Sequence, residues 1–248
     1  MSRKISITGI IPARFGSSRF PGKPLVEIAG KSMIIRVYEQ ANKVKLLTNV
    51  IVATDDSRIY DEVLENNGQA MMTSEEHRNG TERCQEVAQT IESDYFINIQ
   101  GDEPYISPEA ISSLCKILDG EVQLGTLVKR IQNSEQLDDP TTMKVLINQY
   151  FEAIYFSRQC IPYVRDFPKD QWLSKYNFFK HIGIYAYRAD VLNEIVQLDT
   201  TPLETAESLE QLRWIENGYK IKLAETQHES ISVDTPEDLE KLKLFGTK

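Results

Sequence analysis

Short apolar runs alternate with longer segments of helical periodicity through the first half of the chain. The apolar runs span residues 5–11, 50–53, 70–72 and 96–99. The segments in which apolar residues recur at helical spacing span residues 33–44, 59–64, 82–91 and 108–118. Strands that alternate with helices usually pair in parallel, with the helices packed on their faces. The order therefore predicts the α/β class with a mostly parallel central sheet.

A different pattern begins near residue 123 and continues to residue 187. Strand-like runs at 124–128, 144–147, 153–156 and 182–187 are separated by irregular segments. This region is predicted to form an antiparallel or mixed extension of the sheet, or a subdomain, with a long loop over residues 162–179. Helical patterns return at 202–216 and 236–244, and no repeat or Gly/Ser linker divides the chain, so residues 1–248 are interpreted as a single domain.

Composition narrows the class of partner. The 28 basic and 37 acidic side chains give a net charge of -9, which disfavours nucleic acid and anionic membranes and favours a small molecule. The three cysteines have no CxxC spacing and are interpreted as reduced core thiols. The first apolar stretch is too short for a signal peptide or a membrane span and is interrupted at Arg14, so a cytoplasmic location is expected.

Polar residues follow the predicted strands of the first half. Arg14 follows the first strand, and residues 54–56, 73–74 and 100–102 follow the next three. Because the carboxyl ends of strands form the ligand crevice of open α/β sheets, a site is predicted there.

The loop after the first strand, within IIPARFGSSRFPGKPL at residues 10–25, combines cations with small residues. Its members are Arg14, Arg19 and Lys23 with Gly16, Ser17, Ser18 and Gly22. Backbone N–H groups and cations of this kind suit a polyphosphate. The glycine spacing and the proline after Lys23 exclude a P-loop. A solvated loop with turn glycines is the alternative, but the position after the first strand of an acidic chain favours phosphate binding.

Two aspartates follow apolar runs far apart in the chain. Asp102 lies in FINIQGDEP, and Asp234 lies in ISVDTPEDL. Two carboxylates at strand ends fit Mg²⁺, which takes a few carboxylates together with waters and phosphate oxygens. The alternative for Asp234 is that it merely precedes a helix capped by Thr235 and begun by Pro236.

Eight motifs, in this order and spacing, resemble those of the CMP-Kdo synthetases, the 3-deoxy-manno-octulosonate cytidylyltransferases. The motifs are IPARFGSSRFPGKPL, VATDD, MTSEEHRNGTER, NIQGDEP, AIYFSR, HIGIYAYR, AESLEQLR and VDTPEDLE. The first would also suit CMP-sialic acid synthetases, whereas the later ones are more specific to the Kdo branch. The resemblance covers nearly the whole chain.

The resemblance implies a Rossmann-like nucleotidyltransferase fold and a homodimer. It also implies conversion of CTP and Kdo, an acidic eight-carbon sugar, into CMP-Kdo and pyrophosphate for lipopolysaccharide synthesis, with Mg²⁺ as cofactor. The region 123–187 would contribute to the sugar site and to the dimer. Two alternatives are left. The substrate could be a related acidic sugar, either sialic acid or an 8-amino analogue of Kdo, or the protein could be a non-catalytic nucleotide-sugar sensor.

The same resemblance implies roles for individual residues. Arg14 and Lys23 would hold the triphosphate and act in catalysis with Asp102, while Asp102 and Asp234 would bind magnesium. The remaining nucleotide-side residues would be Ser17, Ser18, Arg19, Thr73, Ser74, Gly80 and Thr81. The sugar-side residues would be Gln100, Arg158, His181, Tyr185, Glu210 and Gln211.

Each sugar-side residue also has a purely structural interpretation. His181 could be a hydrogen-bonded core histidine, and Arg158 a surface ion-pair partner. Glu210 and Gln211 could form an exposed helical turn. The functional interpretation is that Arg158 binds the sugar carboxylate through two parallel hydrogen bonds while the others meet its hydroxyl groups.

Overall fold

The computed structural model describes residues 4–16, 20–229 and 231–245. Its strands are β1 (Ile7–Ala13), β2 (Glu27–Ile28), β3 (Lys31–Ser32), β4 (Asn49–Thr54), β5 (Ala70–Met72), β6 (Tyr95–Asn98), β7 (Leu124–Arg130), β8 (Lys144–Ile147), β9 (Ala153–Ser157), β10 (Phe179–Arg188) and β11 (Ile221–Glu225). Its helices are α1 (Met33–Asn42), α2 (Ser57–Glu65), α3 (Gly80–Ala88), α4 (Pro108–Cys115), α5 (Glu135–Asp138), α6 (Trp172–Lys175), α7 (Ala189–Ile195), α8 (Pro202–Glu207), α9 (Glu210–Glu216) and α10 (Pro236–Phe245).

Nine strands of the described chain form one mixed sheet. Its main path runs β11-β7-β10-β6-β1-β4-β5, and β8 and β9 extend it beside β10. The pairs β1–β4, β1–β6, β4–β5 and β7–β11 are parallel, whereas β10 runs antiparallel to β6, β7 and β8. The predicted α/β class with a mostly parallel sheet and an antiparallel part is confirmed.

The central strands are buried on both faces, which explains their continuous apolar sequences. In β1, every residue except Pro12 is buried. Helix α1 packs Ile34, Val37 and Ala41 into the core on one face of the sheet. A second core, which includes Phe96, Tyr187 and Trp214, lies apart from the first. Strands covered on both sides by helices need apolar residues at successive positions, because both directions lead into a core.

The strand order reverses between β1 and β6. The chain steps outward from β1 to β4 and β5, then returns through α3 to place β6 on the other side of β1. The connections that leave β1 and β6 at their carboxyl ends, Ala13 and Asn98, therefore go to opposite sides and leave a crevice between them. A crevice at such a point is the usual ligand site of an open α/β sheet.

Several local predictions are wrong. The helix predicted over 202–216 is two helices, α8 and α9, because Ser208 takes a left-handed conformation at φ 51°. The loop predicted over 162–179 contains α6 and a 3-10 turn at Lys169–Gln171, held by Trp172 stacked on Phe178. Helix α7 and strand β11 were not predicted, and β10 begins three residues earlier than the pattern indicates. None of the described helices is long and apolar enough to cross a bilayer.

Candidate active site

A cleft of about 360 Å³ opens at the point where the strand order reverses. Its floor is formed by the ends of β1 and β6, with Pro12, Asn98 and Gly101 among the lining residues. Of the predicted site residues, the cleft brings together Arg14, Lys23, Gly80, Gln100, Asp102 and Asp234. The polar residues after β1 and β6 thus meet as the sequence predicts, whereas residues 54–56 and 73–74, after β4 and β5, are not among the lining residues.

The basic loop after β1 supplies one wall of the cleft. Arg14 is exposed and directly follows β1, while Lys23 opens the 3-10 turn Lys23–Leu25. Gly22 precedes this turn at φ 71°, where a side chain would be strained, and its N–H donates to the carbonyl of Phe15. The predicted loop residues Ser17, Ser18 and Arg19 lie outside the described residues.

Asp102 reaches the cleft because Gly101 permits a close backbone approach. A Cβ atom at position 101 would lie 2.7 Å from the carbonyl oxygen of Pro12, so only glycine fits without a backbone shift. The carbonyl of Asp102 accepts a 2.9 Å hydrogen bond from the N–H of Val233, which draws the next residue, Asp234, to the same place. Residues 132 positions apart in sequence (234 − 102) therefore share one wall.

Asp234 also precedes a capped helix, as the alternative interpretation held. The N–H of Asp238 donates to Thr235 Oγ1, and the Asp238 carboxylate accepts from the N–H groups of Thr235 and Asp234. This cap fixes the backbone at the start of α10. Capping and a place in the cleft are therefore compatible roles for the same segment.

The two aspartates already surround a positive charge. Lys23 Nζ lies 2.8 Å from Asp102 Oδ2 and 3.4 Å from Asp234 Oδ1. The described residues contain no group of three or more His, Cys, Asp or Glu side chains placed to hold a metal. Two carboxylates at the edge of a cleft with basic side chains still fit Mg²⁺, which commonly takes one or two carboxylates plus substrate phosphates and water.

Helix α3 faces the cleft with its amino end. Asn79 caps the helix by accepting from the N–H of Glu82, and both Asn79 and Gly80 line the cleft. A Cβ atom at Gly80 would lie 3.1 Å from Asn98 Nδ2, so glycine keeps the helix end close to β6. The free N–H groups of a first helical turn attract anions and hydroxyl oxygens.

Three residues predicted to lie near the nucleotide support the cleft wall from behind. Thr73 is buried and accepts a hydrogen bond from Arg83, the N–H of Ser74 donates to Glu86, and Thr81 donates to Glu210. None of the three is among the lining residues. Their contact with a nucleotide stays a prediction.

The sequence analysis did not predict five of the polar or charged lining residues. They are His77, Arg78, Asn79, Arg83 and Asn98. Arg83 is almost fully buried and forms an ion pair with Asp55 at 2.7 Å, which ties α3 to the end of β4. Helical spacing could have predicted Arg83 as a lining residue, because it lies one turn after Gly80 and so shares the helix face that meets the sheet.

The Glu210 carboxylate supports the amino end of α3 and does not lie on an exposed turn. It accepts hydrogen bonds of 3.0 Å from Asn79 Nδ2 and Thr81 Oγ1, while the neighbouring Gln211 is buried. Burial raises the pKa of Glu210. The alternative of an exposed helical turn at Glu210 and Gln211 is therefore wrong, and Glu210 fixes the cap residue of α3.

Among the described residues Arg158 forms no ion pair, and its guanidinium is bound to backbone carbonyl groups. Its guanidinium donates to the carbonyl oxygens of Glu207, Pro140 and Ser208 at 2.8, 3.1 and 3.4 Å. These bonds hold the turn that separates α8 from α9. Arg158 is not among the lining residues of the cleft, so direct binding of a sugar carboxylate stays a prediction.

His181 and Tyr185 lie on β10, next to β6. His181 Nε2 is 2.9 Å from Thr126 Oγ1, and its ring packs edge-on against Phe156. Within the described chain, three buried polar atoms in this region lack a hydrogen-bond partner: His181 Nδ1, Tyr185 Oη and Asn98 Oδ1. Gln100 on the cleft wall donates to the carbonyl of Gly183 on the same strand.

Burial lowers the pKa of His181 to about 3, which makes acid stability a test of its environment. The neutral imidazole is favoured in the fold. The unfolded chain binds a proton near the ordinary histidine pKa of about 6.5, so stability contributed by this site is complete above that pH and is lost as the pH falls toward 3. We expect His181→Gln to reduce the pH dependence of the unfolding free energy by about 1.4 kcal/mol per pH unit near pH 5.

Urea titrations at pH 7, 6 and 5 measure this slope, and the exposed His228, replaced by Gln, is the matched control. The same pH dependence in wild type and His181→Gln would show that His181 is accessible to protons in the folded protein.

A basic loop, a helix amino end and two facing carboxylates meet at the crevice of a parallel sheet, an arrangement suited to a phosphate-bearing ligand. Residues 8–222 match the family model described as cytidylyltransferase. A 3-deoxy-manno-octulosonate cytidylyltransferase from Cytophaga hutchinsonii is 54% identical over 242 residues, covering 96% of this chain and 97% of the relative. The enzyme of the same name from Parabacteroides distasonis is 52% identical over 244 residues, covering 96% of each chain.

A solved structure of CMP:2-keto-3-deoxy-manno-octonic acid synthetase complexed with CTP superimposes with a TM-score of 0.91 at 43% identity, covering 97% of this chain and 98% of that one. The chain belongs to the cytidylyltransferase family and, within it, to the 3-deoxy-manno-octulosonate cytidylyltransferases. The resemblance drawn from the sequence motifs is confirmed.

Proposed function

We propose that this protein transfers the cytidylyl group of CTP to the anomeric hydroxyl of Kdo, giving CMP-Kdo and pyrophosphate. The observation that carries the proposal is the meeting of Lys23, Asp102 and Asp234 in one cleft, within a chain so similar to enzymes of that name. A cation between two carboxylates beside a basic loop is suited to stabilising charge on a triphosphate.

The triphosphate is proposed to lie between the loop and helix α3. Arg14 and Lys23 supply positive charge on one side, and the N–H groups beginning at Gly80 supply donors on the other. Both kinds of group bind phosphate oxygens through short, charge-assisted hydrogen bonds. Ser17, Ser18 and Arg19 remain proposed to complete the loop side.

Asp102 and Asp234 are proposed to hold Mg²⁺. The bound ion would neutralise phosphate charge and lower the pKa of the attacking hydroxyl. The support is the donor set itself, two carboxylates that share one ammonium group at the cleft edge. Carboxylate oxygens are the ligands that this ion prefers in proteins.

The sugar is proposed to lie toward β10. Three buried polar atoms without a described partner, on His181, Tyr185 and Asn98, are in this direction, and hydroxyl groups of a sugar would satisfy such atoms. Gln100 links the cleft wall to β10. Glu210 and Gln211 lie behind the cap of α3, and Arg158 is proposed to hold the adjacent turn and to meet the sugar carboxylate.

In the reaction, a new bond forms between the anomeric oxygen and the α-phosphorus while the bond to the β-phosphate oxygen breaks. Pyrophosphate takes the electron pair, and the hydroxyl proton passes to solvent. The role of Arg14 and Lys23 is to stabilise charge on the transferring and leaving groups. Positioning and electrostatics supply most of the catalysis in reactions of this type.

A product assay tests the proposal. Purified protein with Mg²⁺, CTP and Kdo should release pyrophosphate and form a product with the mass of CMP-Kdo, because the cleft and family favour cytidylyl transfer. Each other nucleoside triphosphate, sialic acid and the 8-amino analogue of Kdo serve as matched substrates. Faster turnover with another sugar would replace Kdo as the substrate, and nucleotide binding without any product would favour a sensor.

The proposal also covers the cellular location, the oligomeric state and the pathway of the enzyme. It is proposed to act in the cytoplasm, as a homodimer, in lipopolysaccharide synthesis. Unpaired cysteines and the use of CTP support the location. Exposed apolar side chains in the region 123–187, among them Tyr150, Ile154 and Tyr163, support its proposed role in the dimer.

A further inference from the structure

Lys23 occupies the position between the two carboxylates that are proposed to bind the metal. Its ammonium contacts Asp102 at 2.8 Å and Asp234 at 3.4 Å, and 14% of the Lys23 side chain is exposed. The same lysine lies on the basic loop after β1, where it is proposed to bind the triphosphate. One side chain thus has two sets of anionic partners in the same cleft.

A divalent cation and the Lys23 ammonium compete for the same oxygens. Two like charges at contact distance repel strongly in a partly desolvated site, so both cations cannot occupy the space between Asp102 and Asp234. Without a cation there, the two carboxylates would repel each other. Lys23 therefore stabilises this arrangement and opposes metal binding at the same time.

We propose that Lys23 couples metal binding to nucleotide binding, an inference that rests on the proposed function. Without nucleotide, Lys23 neutralises Asp102 and Asp234 and weakens binding of the divalent cation. The triphosphate attracts the ammonium away from them, since the flexible lysine stem lets it exchange carboxylate partners for phosphate oxygens. Asp102 and Asp234, no longer in contact with the ammonium, would then hold the metal, which would supply positive charge beside the phosphates.

This coupling has a reciprocal consequence. If the nucleotide raises the affinity for the metal, the metal must raise the affinity for the nucleotide by the same factor. Because the ammonium competes with the metal, removing it should increase metal affinity in the absence of nucleotide, although Lys23 contributes to nucleotide binding. An ordinary phosphate-binding lysine at a distance from the carboxylates would have no such effect.

The test is titration of the nucleotide-free protein with Mn²⁺, followed by the electron paramagnetic resonance signal of the free ion. We expect Lys23→Met to bind Mn²⁺ about ten-fold more tightly than wild type, within the usual range of coupling between sites. Lys31→Met is the control, because Lys31 is exposed and pairs with Glu39 away from the cleft. Unchanged Mn²⁺ affinity in Lys23→Met would overturn the proposal.

Two further measurements keep the result decisive. Lys23→Gln retains a donor for the carboxylates and should also bind Mn²⁺ more tightly than wild type, which covers the case in which Lys23→Met does not fold. Asp102→Asn should bind Mn²⁺ weakly in either Lys23 background. If Asp102→Asn binds Mn²⁺ as well as its parent does, the proposed metal site itself fails. If only the Lys23 effect is absent, the coupling alone fails.

Discussion

Asp102→Asn should lower kcat for CMP-Kdo formation by about 10³-fold while the fold remains intact. The substitution keeps the size of the side chain and removes the charge that faces Lys23 and the proposed metal. Loss of one electrostatic contact to the transferring group typically costs two to three orders of magnitude, and loss of a metal ligand adds to this. The measurement is pyrophosphate release over a series of Mg²⁺ concentrations, with thermal unfolding of the same sample.

Asp61→Asn is the matched control, since Asp61 is an exposed aspartate on α2, away from the cleft. It should retain wild-type turnover. If Asp102→Asn keeps activity within about ten-fold of wild type at every Mg²⁺ concentration, Asp102 does not bind the catalytic metal.

Arg83→Met should destabilise the protein by about 3–5 kcal/mol, the usual cost of removing one member of a buried ion pair. The Arg83 and Asp55 side chains are 4% and 15% exposed, so the Asp55 carboxylate would remain largely desolvated without its partner. Thr73 would also lose the hydrogen bond from Arg83. Urea unfolding at neutral pH measures the change.

Two variants distinguish loss of the Arg83–Asp55 ion pair from the nonspecific destabilisation that an arginine-to-methionine change could cause. Arg78→Met removes a neighbouring arginine that is 69% exposed and pairs with Glu82, and it should cost less than about 1 kcal/mol. Asp55→Asn combined with Arg83→Met should be more stable than the sum of the single changes predicts, because no unpaired charge remains. Equal losses for Arg83→Met and Arg78→Met would contradict the argument.

Much of the fold could be predicted because the parallel strands are continuous apolar runs followed by polar residues. Strand β11 has no such run: its sequence IKLAE places charged residues at two of five positions, and pairing with β7 defines it. The break between α8 and α9 is hidden by a continuous helical pattern. Ser208 adopts φ 51°, a conformation that few residues other than glycine take, and the carbonyl contacts of Arg158 hold this turn.

The site likewise contains some residues that could be predicted from the sequence and others that could not. Arg14, Lys23, Asp102 and Asp234 could be predicted because polar residues after strands of a parallel sheet converge at one edge. The pair formed by Arg83 with Asp55 depends on how α3 packs against the end of β4, which periodicity does not specify. Motif resemblance predicts a sugar-side role for Glu210, but not its contacts with Asn79 and Thr81, which lie about 130 positions away in the sequence.

Strand β10 completes two edges at once, because it lies between β6 and β7. During synthesis, β6 and β7 are completed before residues 179–188 are added. In the described architecture, each of them therefore has an open edge through this interval, and open edges are where nascent chains associate wrongly. Fragments that end before residue 179 should consequently be poor candidates for independent expression, although they contain the whole basic loop after β1 and Asp102.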